Sequence, residues 1–253
     1  MRFRAVSTIL FLVIFNAGFA AAQSNDIASW DGQYVGFGIG GAWGKADPEV
    51  QTQKGTYFIT TDPDQLDPEG SRNMYGSDLS GNVFFGFNGQ KDRFVYGVEG
   101  NLSLSKYDET HHSGNVTYLT LPTDSFSITT KVKSDWAVSI RPRVGYALEK
   151  SLIYITAGPI LRRFEYDFTF TDTEGGGKSL HFNKEAWKLG LIGGLGYEHK
   201  LLNDWSVRTE YLFSTYTNII DGDSRLASYP EDGFKHDLDF TEHSLCIGIS
   251  KRF

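Results

Sequence analysis

The chain has 253 residues, 40% of them hydrophobic and 15% aromatic, with 28 glycines, seven prolines and a formal net charge of −7. Nucleic acid is excluded as a partner by that acidity, which becomes about two units more negative once the leading Arg2 and Arg4 are set aside. The single cysteine, Cys246, excludes an intrachain disulfide and a cysteine-based metal site.

Arg2 and Arg4, the apolar run Ala5 to Ala20 and the Ala20-Ala21-Ala22 exit have the form of a secretory signal peptide over residues 1–22. Residues 23–253 are expected to form one exported domain. No later stretch approaches the roughly 20 apolar residues of a spanning helix. Alternation takes its place. Val35, Phe37, Ile39, Gly41 and Trp43 share one face of a first strand, Tyr34 to Gly44, with Gly36, Gly38, Gly40 and Ala42 opposite. A long polar segment, Lys45 to Gly76, reads as an exposed loop with a strand extension around Tyr57 to Thr61. Leu79, Val83, Phe85 and Phe87 alternate in a second strand, Ser77 to Asn88, and a tight turn leads to a third, Phe94 to Ser105. After a second polar segment, Lys106 to Lys133, the fourth strand, Asp135 to Ala147, sets Trp136, Val138, Ile140, Val144 and Tyr146 against Ala137, Ser139, Arg141 and Arg143.

A short turn precedes the fifth strand, Leu152 to about Glu165, whose Ile153, Ile155 and Leu161 are placed outward. The Gly-rich segment Asp167 to Lys184 separates it from a sixth, Glu185 to Glu198. The seventh, Trp205 to Tyr216, turns Val207, Tyr211 and Phe213 out and Arg208, Glu210 and Ser214 in. An acidic loop, Thr217 to Asp239, returns to the last strand, Glu242 to Phe253, with Leu245, Ile247 and Ile249 on its apolar face.

Long and short connections therefore alternate. This spacing predicts an all-β fold: an eight-stranded antiparallel transmembrane β-barrel with four long external loops and short periplasmic turns. Backbone groups in lipid must pair internally, so the first and last strands are expected to meet. Trp43, Trp136 and Trp187 fall at the outer rim, and Phe87, Phe94, Tyr146, Tyr197, Trp205 and Phe253 at the inner one. Two aromatic girdles argue against a soluble ligand-carrying barrel, whose outer face would be polar.

Four stretches carry a family resemblance: Trp30-Asp31-Gly32-Gln33-Tyr34-Val35-Gly36, Arg141-Pro142-Arg143-Val144-Gly145-Tyr146-Ala147, Asn203-Asp204-Trp205-Ser206-Val207-Arg208-Thr209-Glu210-Tyr211, and the terminal Phe253. In these the chain resembles the opacity-type small outer-membrane β-barrel proteins, the porin-family surface antigens. The resemblance implies location in the outer membrane of a Gram-negative bacterium, contact with outer-membrane lipids and lipopolysaccharide, and assembly by the barrel-assembly machinery through the C-terminal strand. It implies no single activity. The pattern departs at Lys251, where such proteins commonly carry an aromatic residue; a lysine this near the rim can snorkel.

The charges facing the lumen come next. Glu99 lies five residues above Phe94 and Arg141 five above Tyr146, on neighbouring strands, so the two should meet. With Arg143, Arg208 and Glu210 they form an expected lumenal ion cluster that fills and pins a narrow barrel. The inward glycines 36, 38 and 40 leave space for water. Catalysis is not expected: His243 and Ser244 are adjacent in a strand, point to opposite faces and cannot form a nucleophile–base dyad. No cofactor is expected. His111-His112, with Asp108 and Glu109, is the candidate for a haem or metal site at the loop side. The acidic loop residues Asp221, Asp223, Glu231, Asp232, Asp237 and Asp239 are spaced too loosely for a cation cage. Three functions follow: a structural surface protein whose loops meet host or environmental ligands, a narrow porin-like channel for small solutes, or a haem or metal binder.

Overall fold

The structure is a computed structural model that describes residues 27–253; the export signal expected over residues 1–22 lies outside them. Ten strands are present: β1 (Gly32–Gln53), β2 (Met74–Lys91), β3 (Phe94–His112), β4 (Val116–Thr117), β5 (Ser125–Leu148), β6 (Ser151–Asp172), β7 (Ser179–Lys200), β8 (Trp205–Tyr216), β9 (Asp221–Leu226) and β10 (Tyr229–Arg252). One short helix, α1 (Pro63–Gly70), lies between β1 and β2. The hydrogen-bonded order is β1-β2-β3-β5-β6-β7-β8-β10, and β10 pairs back onto β1 from Tyr34↔Arg252 to Gln53↔Gly233. The antiparallel sheet is thus a ring. β4 pairs only with β5, and β9 continues along β10 where β8 stops.

The short turns are built by residues that tolerate a left-handed backbone. Asp92 joins β2 to β3 at φ 55°, and Asn203 and Asp204 join β7 to β8 at φ 57° and 64°. At the seam Gly32 has φ +104°, and a Cβ there would lie 2.6 Å from the Phe253 carbonyl oxygen. Phe253 itself donates its N–H to the Gln33 carbonyl at 2.9 Å. Gly32→Ala is therefore expected to lower the stability of the refolded protein by about 1–2 kcal/mol, read from the midpoint of urea unfolding in vesicles. An unchanged midpoint would show that the seam end tolerates a side chain.

The strands run well beyond the segments read from the sequence. β5 and β10 are 24 residues each, roughly 80 Å of chain at about 3.3 Å per residue, against an apolar band about 25 Å tall. Below the level of Trp43, Trp136 and Trp187 the outward residues are apolar: Ile39, Leu189, Leu191, Ile153, Ile155 and Ile247 are all exposed. Ile153, Ile155 and Leu161 of β6 do face out, while Leu152 and Tyr154 are buried. Above that level the outward set turns polar, as in Asp47 and Glu49 of β1, Lys131 and Lys133 of β5, Glu165 and Asp167 of β6 and Asn183 and Glu185 of β7.

Inside the ring the order is reversed. Above the tryptophans the inward residues are Phe164, Tyr166, Phe168 and Phe170 of β6, Phe234, Leu238 and Phe240 of β10, and Phe126, Ile128 and Val132 of β5, all fully buried in one core. The segments expected to be long polar loops are therefore largely strand, closing over an aromatic core. Tyr57 to Thr61 is not a strand: it is a bend that drops Tyr57 and Phe58 into this core. In β5 an irregularity between Lys133 and Ala137 changes which alternate residues face in, from Phe126–Val132 above to Ala137–Arg143 below. The outer rim is marked there by Trp136 packed edge-on against Trp187, 4.9 Å apart.

Candidate functional site

The residues with chemistry are held inside the lower half of the ring. β3 and β5 pair in a register that sets Glu99 directly opposite Arg141, both turned inward. Arg141 Nη2 donates to Glu99 Oε1 at 2.6 Å and to Glu210 Oε2 at 3.0 Å. Arg208 Nη1 reaches Glu99 Oε2 at 2.6 Å, and Arg143 Nη1 lies 3.6 Å from the same oxygen. Tyr34 donates to Glu99 at 2.9 Å and Tyr154 to Glu210 at 3.0 Å. Glu99, Arg141, Arg143, Arg208 and Glu210 thus share one network, each essentially without solvent exposure.

Buried charges are costly unless their lone pairs and protons are met, and here the carboxylates are met several times over. The network also holds residues the sequence reading left out. Glu198 accepts from Arg143 Nη2 at 3.1 Å and from the Ser206 hydroxyl at 2.5 Å, and stands 3.8 Å from Arg252. Its signal was available, because Glu198 falls in the inward set of its strand and Arg143 lacked a partner. A second layer above pairs Arg162 with Glu242 at 2.6 Å, with Ser105 between them. Gly36 and Gly38 leave no room themselves, since a Cβ on Gly36 would meet the Phe84 ring at 2.3 Å and one on Gly38 the Asn82 side chain at 2.5 Å, but a water-sized gap of about 30 Å³ lies at the level of Gly40, lined by Ala42, Ser80, Asn82, Asn101 and Cys246. The Arg208 guanidinium lies over that same Phe84 ring, 3.2 Å from its centroid.

The short lead before β1 also has a role that local pattern did not suggest. Trp30 is fully buried beneath the ring, against Val95, Ala147, Leu152 and Tyr154. Its backbone N–H donates to Gln90 Oε1 at 2.6 Å, Arg252 donates to its backbone carbonyl, and the Arg252 guanidinium lies 4.9 Å from its ring centroid. Ala28 donates to the Glu149 carbonyl at 2.7 Å. The segment is sewn across the mouth.

The histidine pair is not in a loop. His111 and His112 end β3, paired with Thr130 and Thr129 of β5, so their side chains leave on opposite faces and cannot hold one ion together. His111 Nε2 stands 3.6 Å from Glu69, and His112 Nδ1 2.9 Å from the Thr129 hydroxyl. Among the described residues no group of three or more His, Cys, Asp or Glu is arranged to hold a metal ion. His243 faces out, 2.7 Å from the Tyr211 hydroxyl, and Ser244 faces the interior. Cys246 is buried in the lumen, 3.5 Å from Ser80 Oγ.

The acidic fourth external segment locks onto the first. Asp232 takes the N–H groups of Gly55 and Phe58 on one oxygen, at 2.7 and 2.8 Å, and those of Thr56 and Tyr57 on the other, at 2.8 and 3.0 Å. These bonds hold its carboxyl below the usual aspartate range, against the opposing effect of burial. The acid is a structural clasp.

A sequence model described as the outer membrane protein beta-barrel domain matches residues 7–253. The chain belongs to that family. Within this outer-membrane barrel family, the 31 kDa outer-membrane immunogenic protein of Brucella melitensis is 25% identical over 244 residues, covering 96% of this chain and 91% of that one. The 22 kDa outer membrane protein of Rhizobium leguminosarum bv. viciae is 28% identical over 222 residues, covering 88% and 79%. Among solved structures, the outer membrane protein OprG of Pseudomonas aeruginosa aligns with a TM-score of 0.44 at 17% identity, over 90% of this chain and 99% of that one. This barrel-family member is an outer-membrane protein of a Gram-negative bacterium, similar to proteins named for being immunogenic in the outer membrane.

Proposed function

We propose that the protein is an eight-stranded outer-membrane barrel of the opacity type, exported by the signal over residues 1–22, that serves as a closed structural and surface-interaction protein. Its external half presents polar strand faces and loop tips to the environment, and the barrel holds them at a fixed height above the membrane. The observation that carries this reading is the nearly filled interior, whose gap above the ion network, about 30 Å³ beside Ser80, Asn82, Asn101 and Cys246, has room only for ordered water. Along the axis, Trp30 lies under the periplasmic mouth, the ion network around Glu99 fills the middle, and the aromatic core around Phe168 and Phe234 fills the top. A narrow barrel is readily filled by its own side chains. The arginines and glutamates of the lumen act here as a plug that also cross-ties β3, β5, β7, β8 and β10, rather than as a selectivity filter.

The protein refolded into planar bilayers is expected to give no stable single-channel steps over the range where porins conduct. Large, long-lived steps would overturn the closed reading in favour of a channel. Surface exposure is read separately, by protease access to the Ser113–Asp124 segment and the exposed Ala227–Ser228 turn on intact cells.

A further inference from the structure

The outward face at the periplasmic end carries a shallow, open depression that the proposed function leaves unused. Lys150, His199, Trp205 and Ile249 line it, the β7–β8 turn supplies Leu201 and Leu202 as a lip, and Lys200 closes its inner edge with its ammonium turned to the Trp30 ring, 5.6 Å from the centroid. No carboxylate lines it among the described residues. Lys251 of β10 stands beside it, its Nζ 5.7 Å from the Trp205 ring centroid.

The level of this concavity is fixed by Trp205, Tyr197 and Phe253, which belong to the inner aromatic girdle, where headgroups meet acyl chains. Leu202 is 83% exposed, an apolar side chain at a turn tip that gains nothing from water and fits the edge of an acyl layer. Lysine ammonium groups at this depth attract phosphate. A zwitterionic headgroup would bring its own cation against them, whereas an anionic one would not. We infer that this concavity binds an anionic glycerophospholipid of the inner leaflet, its phosphate held between Lys150 and Lys251 and its chains running along Trp205 and Ile249. The assignment to the inner leaflet rests on the membrane orientation proposed above.

Native mass spectrometry of the refolded protein, in micelles doped with phosphatidylglycerol or phosphatidylethanolamine of identical chains, tests it. The parent is expected to retain phosphatidylglycerol at least about tenfold better, and a Lys150→Gln, Lys251→Gln double variant to fall within about twofold. A Lys131→Gln, Lys235→Gln variant, altered at the other end, should keep the preference. Heat-modified gel mobility reports whether each variant is folded; if the double variant is not, Lys150→Gln alone should still lower the preference severalfold. The site is refuted if the parent shows no preference or if the control variant loses as much. Both ends are accessible in micelles, so such a result would refute the site and leave the orientation standing, which protease access on cells reads independently.

Discussion

Glu99→Ala is expected to destabilise the refolded protein by about 3–5 kcal/mol, the loss typical of breaking a buried ion network from one side. Glu99 is the carboxylate that Arg141 and Arg208 share, both at 2.6 Å, with Arg143 at 3.6 Å and the Tyr34 hydroxyl at 2.9 Å. Without it, three guanidinium groups face one another in a water-poor lumen with Glu210 and Glu198 left to neutralise them. Those two already serve Tyr154, Ser206 and Ser250. Glu99→Gln keeps the shape and the hydrogen-bond acceptor but loses the charge, and should fall between parent and alanine. Urea unfolding in vesicles, followed by tryptophan fluorescence, checks the order. A loss below about 1 kcal/mol for the alanine variant would mean that the arginines are neutralised by something other than Glu99. Such a result would remove the cross-tie role assigned to the network.

Acid is expected to loosen the external core in two stages, and His236 sets the first. The imidazole is fully buried, stacked on Phe182 at 4.5 Å and set against Phe168. It reaches Ser224 Oγ at 2.8 Å and the Tyr166 hydroxyl at 3.2 Å. Burial pushes it down to about 4, only partly opposed by the charge of Asp223. A histidine depressed in this way binds its proton in the unfolded chain before the folded one. Its neutral form therefore favours the folded state fully above about pH 6.5, and that advantage declines as pH falls towards 4, by about 3 kcal/mol in all. Asp232 acts in the same direction at lower pH: its four N–H bonds need the carboxylate, so their contribution is present above the ordinary aspartate range and lost as pH falls through the folded value.

Asp62, Glu174 and Asp237 are each shifted up, chiefly by burial, and so oppose the trend. Comparison with His236→Gln cancels them, because glutamine stays neutral throughout. Hydrogen exchange at the amides of Phe164–Phe170 should show the parent losing protection between pH 6.5 and 4 more steeply than the glutamine variant. Identical slopes would remove His236 as the cause.

How much of this was legible in the residues differs sharply between the two halves. In the membrane half, each strand carries an apolar set every second position, as in Trp187, Leu189, Leu191, Leu195 and Tyr197, and lipid leaves only one way to turn it. Equal counts from Phe94 to Glu99 and from Tyr146 to Arg141 set those two side by side, and they are partners in the β3–β5 register. In the external half the same alternation is present: Phe164, Tyr166, Phe168 and Phe170 are interleaved with Glu165, Asp167 and Thr169. It reads as polar loop because both sets are mixed with charge, and no lipid dictates which one faces out. The bulge at Lys133 to Ala137 hides the continuity further by shifting the phase of β5.

Alternation by itself determined that two faces of each strand differ, where the short turns fall, and that the membrane half carries apolar residues outward. Only the tertiary structure decided what fills the ring. Trp30 beneath Arg252, Asp232 against Gly55 to Phe58, and Tyr57 donating to Asp172 at 2.6 Å join positions more than a hundred residues apart. The physical reason is that a period of two reports a difference in surroundings without its sign. Above the outer tryptophans the surroundings change from lipid to water, so the apolar set belongs inside, and its partners exist only once the first and last strands have closed the ring.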